Sequence, residues 1–213
     1  MDQLVEEINR FIKSRKKCLI RISGHGAAGK TTFAEAIMKE LKSNTYNYLN
    51  TDSYIIHGEY RKPLEATYKY NNEIHKGKVT ACLPVAHELK SLKRDLKMLR
   101  SGMDFLTIDT NWAPAKTIHA ERYVTIADGM STAFLEESLF DLSIYIYTDG
   151  QTELERRVER DVHERGKSIQ ALMDTHKERR IQYELFMHDR RVDFDIIVND
   201  SYGRFVVEKG WVN

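Results

Sequence analysis

Eight consecutive residues carry the strongest chemical signal in this 213-residue chain. Gly24-His25-Gly26-Ala27-Ala28-Gly29-Lys30-Thr31 fits the spacing G-x-x-x-x-G-K-[ST] at every specified position. Each specified residue type has a physical task in holding an oligophosphate. Glycines let the backbone turn tightly, with N–H groups facing inward at phosphate oxygens. Lys30 adds a point charge on a flexible stem for the outer phosphates, and Thr31 adds a hydroxyl suited to Mg²⁺. From Thr32 onward an amphipathic helix is expected, whose positive N-terminal end faces the same anion. Residues 24–32 are therefore the expected nucleotide-binding set. His25 reads as a surface residue tolerated within it.

A phosphate loop of this kind works with a carboxylate that holds or orients the metal ion, projected from a neighbouring strand end. Asp52, Asp109 and Asp128 each follow an apolar run. Asp128 has the cleanest strand before it and Gly129 after it, which makes it the expected partner of Thr31 at the metal. Its structural alternative is a turn or helix cap. Asp52 follows Tyr48-Leu49-Asn50-Thr51, where a second strand should emerge beside the loop. Two readings of it balance: a base that takes the proton of an acceptor hydroxyl, or an N-cap for a helix starting near Ser53. Residues 153–167 are dense in charge. They read either as a solvated helix laced with ion pairs or as a lid whose arginines close over a triphosphate, with Gly166 as its hinge.

The elements that must position these groups follow from periodicity. Leu4, Val5, Ile8, Phe11 and Ile12 predict a helix over 2–15, and 17–22 a buried strand. A helix follows over 32–41, then a strand over 44–50. Residues 57–80 are polar and read as irregular or partly helical. A helix is expected over 85–100 and a short strand over 105–108. Further strands are expected over 123–127 and 142–147. A long charged helical region fills 151–191, and two short apolar runs (196–198 and 205–207) close the chain. Strands alternating with helices predict an α/β architecture. The expected form is a P-loop NTPase fold: a parallel sheet of about five strands flanked by helices, with a small helical lid at about 150–180.

Composition narrows the function classes. Lys and Arg number 33 against 32 Asp and Glu, so no global basic field suggests nucleic acid as partner. No run of about 18 apolar residues suggests a membrane span. The acidic, amphipathic N-terminus is wrong for a secretory signal. Cys18 and Cys82 lie in apolar surroundings and read as core residues in a reducing compartment. The expectation is one domain over 1–213, in the cytoplasm, with its oligomeric state open.

Taken together, these motifs resemble the uridine kinase/phosphoribulokinase family of P-loop small-molecule kinases. The likeness begins at Ile22-Ser23-Gly24 and runs, with gaps, over roughly residues 17–200. Leu49-Asn50-Thr51-Asp52-Ser53-Tyr54 looks like the family's strand-two segment, which implies that Asp52 is the catalytic base. Thr125-Ile126-Ala127-Asp128-Gly129 is similar to the strand ending in an acidic residue and glycine, where the family more often has Glu. Residues 156–166 resemble its R-x-x-R-D-x-x-x-R-G lid, which implies that Arg157, Arg160 and Arg165 meet phosphates or substrate. The family's His-Pro-x-Ala segment appears here as Leu83-Pro84-Val85-Ala86, without the histidine. Its nucleoside-binding hairpin has no clear match in 57–80 or 104–120. Tyr54, His87 and Trp112 are the candidate substrate contacts, with core packing as their alternative. The resemblance implies an ATP- and Mg²⁺-dependent transfer to a hydroxyl of a nucleoside or other small metabolite. Set against it is a regulatory P-loop protein with slow or no hydrolysis.

Overall fold

The computed structural model describes residues 1–61, 63–163 and 168–210, and of 162 and 163 the backbone alone. Its chain order begins with helix α1 (Asp2–Lys13), strand β1 (Cys18–Ser23), helix α2 (Lys30–Lys39) and strand β2 (Tyr46–Asn50). A one-turn helix α3 (Gly58–Arg61) leads to strands β3 (Glu65–Tyr70) and β4 (Glu73–Lys78), then helix α4 (Leu89–Arg100). Short strands β5 (Phe105–Leu106) and β6 (Thr117–Ile118) precede β7 (Val124–Asp128) and β8 (Leu142–Tyr147). Helices α5 (Gly150–His163) and α6 (Ile169–Phe186) follow, then β9 (Ile196–Asn199) and β10 (Val206–Lys209).

The main sheet has the order β10-β9-β8-β1-β7-β2. Five of its strands run parallel, as expected, and β10 adds an antiparallel edge. Helices cover both faces because successive strand residues point to opposite sides. Ile20 and Ile22 of β1 meet Ile8, Phe11 and Ile12 of α1 and Phe33 and Ile37 of α2. Leu19 of the same strand faces Leu92, Leu96 and Leu99 of α4. Burying each such side chain contributes roughly 1.5–3 kcal/mol, so these two layers dominate the stability of the fold.

One strand residue breaks the apolar pattern. Arg21 is only 1 % exposed, yet every guanidinium nitrogen is satisfied without a carboxylate. It donates to the Ser143 hydroxyl (2.8 Å) and to the carbonyls of Thr132, Leu135 and Asp193. The ring of Phe194 lies 3.9 Å below its guanidinium carbon. Burial holds its pKa down at about 10, which still leaves it charged at neutral pH.

Residues 57–80 depart from the sequence expectation. Instead of irregular chain they form the β3–β4 hairpin, paired from Glu65↔Lys78 to Tyr70↔Glu73. Polar pegs dock it on α6: the Tyr68 hydroxyl on Glu178, the Tyr70 hydroxyl on Glu184 (2.6 Å), and Gln182 on the Lys78 carbonyl (2.9 Å). The expected strand over 105–108 is only β5, which pairs with β6 outside the main sheet. The single helical region expected over 151–191 is two helices, α5 and α6, followed by a 3₁₀ turn at His188–Asp193. Among the described residues no helix is long and apolar enough to cross a membrane.

Candidate active site

Parallel pairing brings three strand ends to one edge. Ile22 of β1 and Asn50 of β2 both stand in register with Asp128 at the end of β7. The phosphate loop leaves β1, the Asp52 segment leaves β2, and Asp128 lies between them. This is the carboxyl edge of the sheet, where α/β folds bind ligands. The close fit is set by two glycines. A β-carbon on Gly24 (φ +142°) would lie 1.8 Å from the Ile146 carbonyl oxygen, and one on Gly129 (φ +147°) 2.1 Å from the Thr51 hydroxyl.

A cleft of about 750 Å³ opens over this edge. Gly26 to Thr32, Asp52 and Asp128 line it. Lys30 Nζ donates to the His25 carbonyl at 2.9 Å, which holds the amine over the loop. The Thr31 hydroxyl donates to Asp128 Oδ2 at 2.7 Å, and the Tyr48 hydroxyl donates to the same oxygen at 2.7 Å. Burial first, and the neighbouring Asp128 second, push the Tyr48 phenol well above its usual range, so it stays a donor. The other carboxylate oxygen, Asp128 Oδ1, is buried with no hydrogen-bond partner among the described residues. Asp52 is the second residue of the short 3₁₀ turn Thr51–Tyr54, and its N–H donates to the Asn50 side chain at 2.9 Å. Asn50 is therefore the residue that caps this turn, and Asp52 lines the cleft.

His25 is not a surface residue. It is fully buried, with its ring edge-on to Tyr183 of α6 at 4.7 Å between centroids. Nε2 accepts the Thr148 N–H at 2.9 Å, so Nδ1 carries the proton and donates to the Gly26 carbonyl at 2.9 Å. Burial, partly offset by the nearby Glu153, lowers its pKa to about 4. Its contribution to the loop is to seat it on β8 and α6.

The arginines of α5 divide unexpectedly. Arg160 lines the cleft as expected, and so does Arg156, which donates to Asp200 Oδ2 (2.9 Å) and the Asp200 carbonyl (3.0 Å). Arg157 turns inward instead. It is 7 % exposed and 3.8 Å from Glu153 Oε1, and burial, then the like charge of Arg179, lower its pKa to about 10. One step along a helix rotates a side chain by about 100°, so neighbouring arginines cannot share a face. Glu153 is a buried hub: Arg180 Nη1 lies at 3.3 Å, Arg179 Nε at 3.6 Å and His25 Nδ1 at 3.7 Å. Arg165 lies outside the described residues.

The candidate substrate contacts separate in the same way. Tyr54 is fully buried and donates to Asp95 Oδ2 at 2.7 Å. His87 is buried with both ring nitrogens partnered, Nδ1 with the Ser131 hydroxyl and Nε2 with the Ala81 carbonyl, each at 2.8 Å. These two hold the core beside the cleft. Trp112 is exposed, donates to the Asp52 carbonyl at 3.3 Å, and stacks on His57 at 5.0 Å. It lines a smaller hollow with Tyr48, Asn50 and Ser53, next to the main cleft. Arg61, Arg179 and Asp200 also line the main cleft without having been expected from the sequence. No local spacing marks them, because they come from three separate segments.

The chain is similar to known proteins in sequence and in fold. The family model described as "Phosphoribulokinase / Uridine kinase family" matches residues 19–203. A uridine kinase of Ligilactobacillus salivarius is 28% identical over 193 residues, covering 89% of this chain and 88% of that protein. Among solved structures, D-glycerate 3-kinase from Cryptococcus neoformans superposes with a TM-score of 0.65 at 11% identity, over 97% of this chain and 99% of that one. The phosphoribulokinase from Rhodobacter spheroides gives 0.62 at 15% identity, over 86% of this chain and 70% of that one. At such identities these structures show the fold alone.

Proposed function

The chain belongs to the phosphoribulokinase/uridine kinase family and is an ATP-dependent small-molecule kinase, and we propose that its cleft moves the γ-phosphate of ATP to a hydroxyl of a nucleoside or other small metabolite, with Asp52 as base. The observation that carries this reading is the cluster of Lys30, Thr31 and Asp128 on one wall of the cleft, with Asp52 on the strand-end beside it.

Mg²⁺ fits the donor set. Asp128 Oδ1 is a buried carboxylate oxygen without a partner among the described residues, and the Thr31 hydroxyl is bound to the other oxygen of the same carboxylate. Hard oxygen ligands of this kind suit the ion. When bound, it neutralises charge on the phosphates. The remaining work falls to the chain. Loop amides and Lys30 hold the phosphates in place, which supplies much of the rate by positioning. Asp52 accepts the hydroxyl proton on a carboxylate oxygen as the acceptor oxygen attacks. Arg156, Arg160 and Arg179 stabilise charge on the transferring group. Arg157 acts through Glu153, as a positioning residue for α5. The α5–α6 segment serves as the lid, which excludes water on closing.

The test is ADP release with Mg²⁺-ATP against a panel of nucleosides, vitamins, sugar phosphates and hydroxy acids. Acceptor-dependent ADP is expected. ATP binding with no stimulation by any acceptor would support a regulatory protein instead.

A further inference from the structure

We propose that Tyr48 is a positioning residue that leaves a metal ion only one oxygen of Asp128, and that this selects Mg²⁺ over a larger divalent cation such as Ca²⁺. The inference rests on the reading of Asp128 and Thr31 as the metal site.

A carboxylate offers about four lone-pair positions, two on each oxygen. At Asp128 they are used unequally. Oδ2 accepts from the Thr31 hydroxyl and from the Tyr48 hydroxyl, each at 2.7 Å, which fills both of its positions. Oδ1 accepts nothing among the described residues, although Asp128 is only 2% exposed. Asp95 shows the contrast. It accepts the Tyr54 hydroxyl on Oδ2 and Arg94 Nε on Oδ1, so both of its oxygens are engaged. A buried carboxylate oxygen left bare is costly unless a cation meets it.

Tyr48 is held in place by the fold. Strand β2 pairs in parallel with β7, with Tyr48 opposite Ile126 and Asn50 opposite Asp128. Side chains alternate along a strand, so Tyr48 shares a sheet face with Asp128 and stands two residues behind it. Its ring packs against the core layer that β1, α1 and α2 form, and its hydroxyl reaches Oδ2. Thr31 reaches the same oxygen from the first turn of α2. A strand and a helix therefore clamp one oxygen, and the carboxylate cannot rotate without losing both bonds. A hydroxyl that donates its hydrogen to Oδ2 keeps its own lone pairs, so Thr31 can serve the ion and Asp128 together. Tyr48 acts through the carboxylate.

The consequence is a choice between ions. Mg²⁺ demands near-octahedral geometry and keeps several of its waters, so one carboxylate oxygen suffices, met directly or through a water. Ca²⁺ takes about six to eight oxygens and readily accepts both oxygens of one carboxylate. At Asp128 that mode would displace one of the two hydrogen bonds on Oδ2. Without Tyr48, one position on Oδ2 is open and the carboxylate is free to turn.

Calorimetry on the intact chain gives the affinity for a β,γ-imido analogue of ATP with excess Mg²⁺, with excess Ca²⁺ and with EDTA, without turnover. The readout is the ratio of the Mg²⁺ to the Ca²⁺ affinity. Tyr48→Phe should lower that ratio by about fivefold or more, with the affinity in EDTA within about twofold of wild type. Tyr48→Met also lacks the donor and takes its place if the Phe variant does not fold. Tyr48→4-aminophenylalanine restores a donor and should return the ratio to within about twofold of wild type. An unchanged ratio, equal losses with both ions, or a ratio that the amine does not restore would overturn the inference while leaving the metal site in place. A fall of the affinity in EDTA would assign Tyr48 to the nucleotide and overturn it too. Wild-type affinity no higher with Mg²⁺ than in EDTA would remove the metal reading and the inference with it.

Discussion

Replacing Glu153 by Gln removes one negative charge and almost no volume from the hub beneath the phosphate loop. Glu153 is 1% exposed and faces guanidinium groups at 3.3, 3.6 and 3.8 Å, with His25 at 3.7 Å. Burial pushes its pKa up, but His25 and the three arginines together pull it below the usual carboxylate value. At an effective dielectric near 20, each such contact is worth about 4 kcal/mol before desolvation is counted. Desolvating the carboxylate cancels much of that sum. Removing one member of a buried ion cluster costs about 3–5 kcal/mol net, because the partners stay buried without a counter-charge. For a chain of this size each kcal/mol shifts Tm by about 2–4 °C, so Glu153→Gln should lower Tm by roughly 6–20 °C. Thermal unfolding followed by circular dichroism at pH 7.5 measures it. Glu159→Gln, at an exposed position of the same helix, is the control and should change stability by less than about 0.5 kcal/mol. A Glu153→Gln Tm within 2 °C of wild type would refute the view that this carboxylate ties α5, α6 and the loop together.

Two buried histidines set the acid limit. His25 and His87 each have a pKa lowered to about 4, by burial first, against about 6.5 when unfolded. The unfolded chain therefore binds more protons between those values. Stability present above about pH 6.5 is lost as pH falls towards 4, by about 3 kcal/mol per histidine. Urea midpoints that stay flat from pH 7 to 4.5 would contradict this. Gly129→Ala places a β-carbon against the Thr51 hydroxyl in a left-handed backbone region, and should destabilise by about 2 kcal/mol or more; an unchanged denaturation midpoint would show that the strand ends are less tightly apposed. Asp128→Asn removes the charge at the orphaned oxygen and should weaken Mg²⁺ activation at least tenfold, read from the Mg²⁺ dependence of kcat. Unaltered dependence would move the metal elsewhere.

The phosphate loop was legible because its chemistry uses the backbone of one continuous stretch, so residue types appear at fixed spacing. Asp128 and Asp52 were legible for a related reason: parallel strands deliver their end residues to one edge. Arg61, Arg179 and Asp200 were not, since only tertiary packing brings them to the cleft. The family resemblance implies that Arg157 meets phosphates or substrate, while the helix rotates it onto Glu153 and presents Arg156 to the cleft. The β3–β4 hairpin escaped the periodicity because its packed face carries Ala66, Tyr68, Tyr70 and His75, while Ile74, its one large aliphatic residue, points outward at 80 % exposure. His25 looked like a surface residue because nothing in the sequence shows that the end of β8 and Tyr183 close over it.

The central claim is that Asp52 takes the proton of an acceptor hydroxyl in a cleft that holds ATP by other groups. Single-turnover transfer of labelled γ-phosphate, compared for wild type and Asp52→Asn with ATP affinity measured on both, tests it most directly. In Asp52→Asn, ATP affinity is expected within about twofold of wild type and transfer slowed by about 10²-fold or more. Transfer at the wild-type rate, or a matching loss of ATP affinity, would contradict it.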